Sequence, residues 1–242
     1  MNLELSIIVA VYSETDTVVE TIRRLLEKDQ GYIKEILLLV SPRSSAVCLE
    51  ICRQAASDCK LVKFLIQEKN PGQGFAFRQG FDVASGTHVA IMSADLETEP
   101  EAIDRMVRKL IETNCDVVSA SRWHKEGGFT GYGLVKMWVN YLFQRFFMFL
   151  FRTSISDLTY GLKLFRADLI KNMPWECAGH DLCLESILKM IKLGAHIEEV
   201  PTQWIKRCEG KSKNNSAVIV LMKYLKIGLE VYFSSISQLR KL

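Results

Sequence analysis

Several features that would define this 242-residue chain quickly are missing. Its net charge is only +3, too small for wholesale nucleic-acid binding, so no nucleic-acid partner is expected. The seven cysteines are an odd number and contain no C-x-x-C pair, which argues against a zinc knuckle and a disulfide framework. Cys48 and Cys52, four apart, have the spacing of packed neighbours on a helix. The four histidines show no metal spacing. A P-loop would need Lys-Ser/Thr after the second glycine of "KNPGQGFAFRQGFDVASG" (69–86), and that pair is absent. The third glycine there, Gly80, comes too late for a dinucleotide fingerprint. No basic segment precedes the first apolar run, so no signal peptide is expected, and that run is too short to span a bilayer. The longest apolar tract, Leu134 to Phe151, is broken by Lys136, Asn140, Gln144 and Arg145 and makes a poor transmembrane span. The expectation is a reduced, cytoplasmic protein, with a peripheral place on the cytoplasmic face of a membrane allowed.

What is present is alternation. Short β-branched runs occur at 5–11, 35–40, 61–67, 88–92 and 116–120, with helical patterns at 14–28, 44–57, 73–84 and 99–113. In 14–28, Val18, Val19, Ile22, Leu25 and Leu26 share one face, and Ser13 with Asp16 can form a capping box. Such alternation predicts an α/β fold: a mostly parallel, doubly wound sheet with helices on both faces. Apolar residues make up 48%, enough for a full core. Ligands in such sheets bind beyond the carboxyl ends of strands, where "YSE", "SADLE" and "SRWH" fall.

The second half differs. A glycine-rich loop at 127–133 precedes a long helical pattern at 134–151, whose polar stripe is Lys136, Asn140 and Gln144. Short strands are predicted at 162–165 and 196–201, a helix at 181–193, and a helix at 217–233 with Lys223, Lys226 and Glu230 on one narrow face. The expected division is one domain at 1–213, in halves at 1–121 and 122–213, then an amphipathic helical segment at 214–242.

Chemistry concentrates in three places. In "SADLETEP" (93–100), Thr98 or Glu99 can cap the next helix and Pro100 suits its first turn. Asp95 and Glu97, an i, i+2 pair at a strand end, point to one side. Such oxygens suit Mg²⁺ or Mn²⁺ bridging substrate phosphates, or belong to a solvated acidic loop. Gly72 and Gly74 allow close backbone approach at a helix start, which reads as an anion site or an ordinary strand–helix turn. "RCEGKSK" (207–213) gathers Arg207, Lys211 and Lys213 on a glycine loop, suited to phosphate or to solvent. Arg122 is a further cation at the ligand-binding edge.

Together these stretches resemble the family-2 glycosyltransferases with the GT-A fold, in particular the dolichyl-phosphate mannose synthase-like branch that glycosylates polyprenyl phosphates. The resemblance runs from "LSIIVAVYSE" (like V-P-x-Y-N-E) through "NPGQGFAFRQGFDVASGTHVAIMSADLETEP" (like N-x-G-x-G-x-A…D-A-D-L-Q…P). It continues in "DVVSASRW", "SDLTYGLKLFR" (like D-x-x-S-G-F-R), "GAHIEEVP" and "RCEGKSK" (like R-x-x-G-x-S-K). It implies a nucleotide-sugar half at 1–121 and an acceptor half at 122–213. It further implies that Tyr12 and Glu14 contact the nucleotide, with Asn70, Gly72 and Ser93 on the same side. Asp95 and Glu97 would hold Mg²⁺ or Mn²⁺ and the diphosphate. Arg122 and Arg207 would grip phosphates, Arg207 with Ser212 and Lys213. Lys136 and Asn140 would line the acceptor phosphate channel, and Asp157 matches an acidic residue of the family.

The resemblance has gaps. Ala10 stands for the usual Pro and Ser13 for the usual Asn. Ser41-Pro42 replaces an acidic pair, and Ser93 replaces the first Asp of D-A-D. The implied activity is inverting transfer of a sugar from a nucleoside-diphosphate sugar to a lipid phosphate. Two alternatives stand beside it. One is transfer to a sugar hydroxyl, with Asp157, Asp181 or Glu185 as the base. The other is a nucleotide-sugar-binding pseudoenzyme, which the missing acids favour. The wide apolar faces of 134–151 and 217–233 suit a membrane interface, the core, or a homodimer.

Overall fold

The computed structural model describes residues 3–69, 72–171, 173–207 and 217–239. Four strand–helix units come first: β1 (Leu5–Val11), α1 (Asp16–Lys28), β2 (Ile33–Val40), α2 (Ala46–Asp58), β3 (Val62–Ile66), α3 (Gln73–Val83), β4 (His88–Ser93) and α4 (Ala102–Thr113). Next come β5 (Val117–Ser121), β6 (Gly128–Thr130), α5 (Leu134–Phe151), β7 (Lys163–Arg166) and α6 (Ala167–Lys171). The chain continues through α7 (Leu182–Lys192), β8 (Ile197–Pro201), β9 (Gln203–Ile205) and α8 (Ala217–Phe233).

The seven-stranded sheet has the order β3-β2-β1-β4-β7-β5-β8, and only β7 runs antiparallel to its neighbours. β6 and β9 form a separate parallel pair. β1 is buried along its whole length because both faces of the sheet are covered. Its alternate residues feed two cores. Leu5, Ile7 and Val9 pack with Val18, Leu25, Cys48, Cys52 and Met106, on the side of α1, α2 and α4. Ile8 and Ala10 face Phe77, Phe81, Phe147 and Leu184, on the side of α3, α5 and α7. β2 lies on one side of β1 and β4 on the other, in a register that sets Ala10 beside Ser93. This is the switch point of a doubly wound sheet, where a crevice opens beyond the strand ends.

Local details depart from expectation. Val19 lies on the exposed side of α1. The helix starts at Asp16 after Thr15, without a side-chain cap bond, so Ser13 and Asp16 form no capping box. Glu14 instead folds its carboxylate back onto the Tyr12 and Ser13 N–H groups. Neither Thr98 nor Glu99 caps α4: Thr98 bridges to Trp204, and Glu99 is held by Arg105. The carbonyls of Glu99 and Pro100 receive the first helical N–H groups instead.

α5 and α8 run side by side in the same direction. Phe143 meets Tyr224 and Phe151 meets Tyr232, with ring centroids 5.6 and 5.7 Å apart. Gly228 makes this approach possible, since a Cβ there would overlap the Phe147 ring. The 217–233 helix, whose wide apolar face suits a membrane interface, the core or a homodimer, thus sends Ile227 and Val231 into the second core.

Candidate active site

Loops that follow β1, β2, β4 and β9 converge at the switch point. After β1, Tyr12 is half-buried, and its carbonyl accepts the Ser44 hydroxyl. After β2, Ser41 closes a turn: its N–H donates to Val11 O (2.9 Å), and its Oγ accepts the Arg43 N–H (3.1 Å). Ser45 then caps α2 by accepting the Cys48 N–H at 3.2 Å. A serine turn therefore stands where the resemblance led us to look for an acidic pair. It brings an exposed cation, Arg43, which motif reading passed over because it scored the missing acids and not their replacement.

β4 delivers the carboxylates. Asp95 is buried, and its Oδ1 accepts the Ser93 hydroxyl at 2.9 Å and the Glu97 N–H at 3.1 Å. Between the two acids, Leu96 adopts φ +55°. A leucine in this left-handed region costs on the order of 1–2 kcal/mol. With this turn between them, both acids reach the same cation. Arg207 Nη2 lies 2.9 Å from Asp95 Oδ2, and Arg207 Nε lies 2.6 Å from Glu97 Oε1. Burial, and then the adjacent Glu97 charge, push the Asp95 carboxyl above its ordinary range, while Arg207 and Ser93 pull it back. Burial works against the Arg207 charge, but Glu97 and Asp95 outweigh it and raise its pKa. Backbone bonding fixes the meeting point, since the Ile205 N–H donates to Glu97 O at 3.3 Å.

Arg122 and Asp157 form a second, closed constellation. Both are buried; Arg122 Nε donates to Asp157 Oδ2 (2.7 Å) and Nη2 to Asp157 Oδ1 (2.9 Å). The guanidinium also reaches Thr159 Oγ1 at 3.1 Å and stacks over Tyr160 at 4.7 Å. Burial opposes its charge, yet Asp157 holds the pKa up. This arginine is committed to Asp157 and is not free to grip phosphate, contrary to the expectation from sequence. The polar stripe of α5 serves the same cluster. Gln144 Nε2 donates to Asp157 Oδ1 (3.1 Å), and Asn140 Oδ1 accepts the Trp123 indole N–H (3.0 Å). Asn140 therefore faces inward on protein partners, while Lys136 stays exposed with its ammonium 4.5 Å from the Tyr132 ring centre and 5.8 Å from that of Trp204.

The remaining expected residues divide. The start of α3 faces the chain itself: a Cβ on Gly74 would strike Gly179 O, and the Phe75 N–H donates to Ala178 O at 3.0 Å. Gly72 thus serves a backbone contact. Asn70, Ser212 and Lys213 lie outside the described residues. Of the candidate bases, Glu185 is buried, 2.6 Å from Lys189, and accepts the Glu176 and Cys177 N–H groups. Asp181 is half-buried and accepts the Gly179 N–H. Sequence reading missed the aromatic wall of Trp123, Phe129, Tyr132 and Trp204, whose rings meet at 4.8–4.9 Å. The β6–β9 pairing behind it joins segments more than 70 residues apart and leaves no local signal.

The fold and this geometry can be set beside known proteins. The profile of Glycosyl transferase family 2 matches residues 6–173, more than half of the chain. The chain is 25% identical over 174 residues to the dodecaprenyl-phosphate galacturonate synthase of Rhizobium johnstonii, covering 71% of this chain and 50% of that protein. It is 27% identical over 222 residues to the undecaprenyl-phosphate 4-deoxy-4-formamido-L-arabinose transferase of Edwardsiella ictaluri, covering 90% of this chain and 65% of that one. The chain thus spans between half and two thirds of these relatives' length. Among solved structures, the glucosyl-3-phosphoglycerate synthase of Mycobacterium tuberculosis, crystallised with Mn²⁺, UDP and phosphoglyceric acid, superposes with a TM-score of 0.71. That match has 16% identity and covers 96% of this chain and 80% of the other. Such low identity supports the fold alone. The profile match carries the classification: the chain belongs to glycosyl transferase family 2.

Proposed function

We propose that the protein transfers a sugar from a nucleoside-diphosphate sugar to a polyprenyl phosphate, with inversion at the anomeric carbon. The observation that carries this reading is the convergence of Asp95 and Glu97 on one cation at the switch point. The relatives' names supply the acceptor class.

The residues fit a divalent ion. Asp95 and Glu97 are hard oxygen donors held by one guanidinium, and their charges are paired there by Arg207. Mg²⁺ or Mn²⁺ bound there would neutralise the diphosphate. The chain's own residues do the rest. An acceptor phosphate oxygen is already an anion and needs no strong base to attack the anomeric carbon. As its bond forms, the bond from that carbon to the diphosphate oxygen breaks, and the electron pair leaves with the nucleoside diphosphate. The protein must hold two anions in line. Arg207 can exchange its carboxylates for donor phosphates, and exposed Lys136 lies beside Trp204 on the acceptor side. Arg122 and Asp157 act as positioning residues: they fix the Thr159–Tyr160 turn, whose Tyr160 hydroxyl reaches Thr98 Oγ1 at 3.1 Å. Tyr12 and the 41–45 turn offer backbone and hydroxyl contacts to the nucleoside.

A specific observation also favours a second reading. The serine turn at 41–45 lacks the family's acids, as a protein that only binds nucleotide sugar could. One experiment separates the two: incubation with a panel of nucleoside-diphosphate sugars, Mn²⁺ and a short-chain isoprenyl phosphate, read by mass spectrometry. Glycosyl phosphate product with one donor is expected. Nucleotide binding without product establishes the binding protein instead. Peripheral membrane contact follows from a lipid acceptor; no helix among the described residues is long and apolar enough to cross a bilayer.

A further inference from the structure

His180 lies outside both arginine–carboxylate constellations, yet it stands at the same crevice. It belongs to the loop that leads into α7, and that loop packs on the start of α3. A Cβ on Gly72 would strike Ala178 O, and the Phe75 N–H donates to the same carbonyl. α3 starts beyond the carboxyl end of β3, so the loop lies at the ligand-binding edge of the sheet. On its other side is α8. His180 Nδ1 lies 2.6 Å from the Tyr224 hydroxyl, and the two rings stack 6.4 Å apart, with 21° between their planes. Tyr224 packs in turn on Phe143 of α5, at 5.6 Å.

The imidazole is exposed to solvent, although the surrounding protein is the largest influence on its charge. Both hold for a side chain that lines a concave opening. Burial, and then the Arg122 and Lys163 charges, hold its pKa at about 4, which Glu97 and Asp181 offset only in part. At pH 7 the ring is neutral, with one N–H and one bare nitrogen. Tyr224 decides which is which. Burial raises the phenol pKa well above its ordinary value, so the hydroxyl keeps its proton. Among the described residues that proton has no acceptor besides Nδ1. The hydroxyl therefore donates to Nδ1, and the ring proton sits on Nε2. The Nε2–H has no protein partner among the described residues.

The surroundings say what this N–H can meet. The fields acting on Tyr224 include those of Arg122 and Tyr132, and the Lys136 ammonium lies 4.5 Å from the Tyr132 ring centre. His180 and Tyr224 thus share the acceptor side with Lys136. A further cation here would be opposed by Arg122 and Lys163. A neutral N–H is not opposed, and it still donates to an anionic oxygen. A sugar ring, with hydroxyls all round, would need several polar partners. The imidazole's neighbours on α8 and α5 are aromatic, and the one hydroxyl among them is already used. A phosphate oxygen suits a single directional donor: flexible Lys136 supplies charge and the imidazole supplies direction.

We propose that His180, held in one tautomer by Tyr224, donates its Nε2–H to a phosphate oxygen of the acceptor and so orients the attacking anion. This rests on the phosphate-acceptor reading above and adds a specificity-determining residue to it. The imidazole forms no covalent bond and keeps its proton throughout.

The test is a nuclear magnetic resonance titration of the full chain, isotope-labelled at its histidine nitrogens, with a soluble short-chain isoprenyl phosphate. His180→Gln assigns the signals. The free protein should show His180 protonated on Nε2, and that resonance should move as the phosphate binds. Tyr224→Phe should mix the two tautomers. In turnover, His180→Phe should raise the acceptor KM roughly 10–100-fold, the range of one hydrogen bond to a charged group, and leave the donor KM unchanged. His180→Gln, whose amide still donates, should recover most of that loss, with the melting temperature of every variant at the wild-type value. A His180 resonance that ignores the isoprenyl phosphate would overturn the proposal whether or not product forms. So would one that moves only with a nucleoside-diphosphate sugar, which would give His180 to the donor. A Gln variant as poor as the Phe variant would mean that ring shape matters and the N–H does not, which also overturns it. A resonance that moves with the phosphate while no product forms would sink the transfer reading and leave the phosphate contact standing.

Discussion

Two arginine–carboxylate constellations lie near the same crevice and have opposite characters. Arg122 and Asp157 are buried, meet through two parallel bonds, and are ringed by Thr159, Gln144 and Tyr160. Arg207 meets Asp95 and Glu97 at the open edge, 22% of its side chain still in solvent. The first pair has no unused anion partner and nowhere to move, so its worth is in fixing the turn around it. The second holds two carboxylates with one partly exposed cation, an arrangement that, on the proposed function, a divalent ion and a diphosphate would replace without leaving a buried charge bare. Chemistry alone does not separate these arginines. Burial and the number of satisfied partners do.

The largest expected effect strikes the closed pair. Asp157→Ala should cost about 3–5 kcal/mol, because Arg122 would be left buried and unpaired. Urea denaturation measures this, and the double change Arg122→Met with Asp157→Leu should recover most of the loss. A single variant as stable as wild type would erase the distinction between the two sites. At the open pair, Asp95→Asn should lower sugar transfer by roughly 10²–10³-fold with little change in melting temperature, the magnitude of losing one positioned electrostatic group. Equal loss of stability and turnover would make Asp95 another structural acid. Arg207→Gln should tighten Mn²⁺ binding in the absence of nucleotide by roughly tenfold, the value of one charge-assisted contact removed from its competitor. Titration followed by electron paramagnetic resonance reads this without any turnover.

A third carboxylate sharpens the contrast with a smaller effect. Glu35 sits at the opposite, amino-terminal edge of the sheet, where burial would raise its pKa. The Lys63 ammonium, the Ser6 hydroxyl, and the N–H and hydroxyl of Ser85 outweigh burial and hold it at about 2, below the usual 4.5. Its folded pKa is depressed, so its stabilisation is complete above about 4.5 and is lost as pH falls toward about 2. Glu35→Gln should therefore flatten the acid limb of a stability–pH curve measured by thermal melting. An unchanged acid limb would mean that the Ser6–Ser85 contacts contribute nothing differential.

Periodicity located elements well in both halves. β1, α5 and α8 fall on the expected boundaries, because buried strands and apolar helices carry dense local patterns. The caps were misjudged. Ser13 and Thr98 have the right chemistry for capping, but Glu14 and the Thr98–Trp204 bridge use those loops otherwise. The glycines at 72 and 74 were read correctly as places of close approach, and the approaching backbone is the 178–179 loop. Asn140 and Gln144 formed a visible stripe, yet a stripe does not say whether it faces solvent, lipid or a buried aspartate.

The sequence by itself determined the alternation, the crowding of Asp95 and Glu97 at the end of β4, and the family. These depend on residues close in the chain or on motifs that survive in order. Only the tertiary structure decided which arginine is closed and which is open, because Asp157 and Asp95 lie 35 and 112 positions from their partners. Burial sets the energy of such charges, and burial depends on every element packed around them.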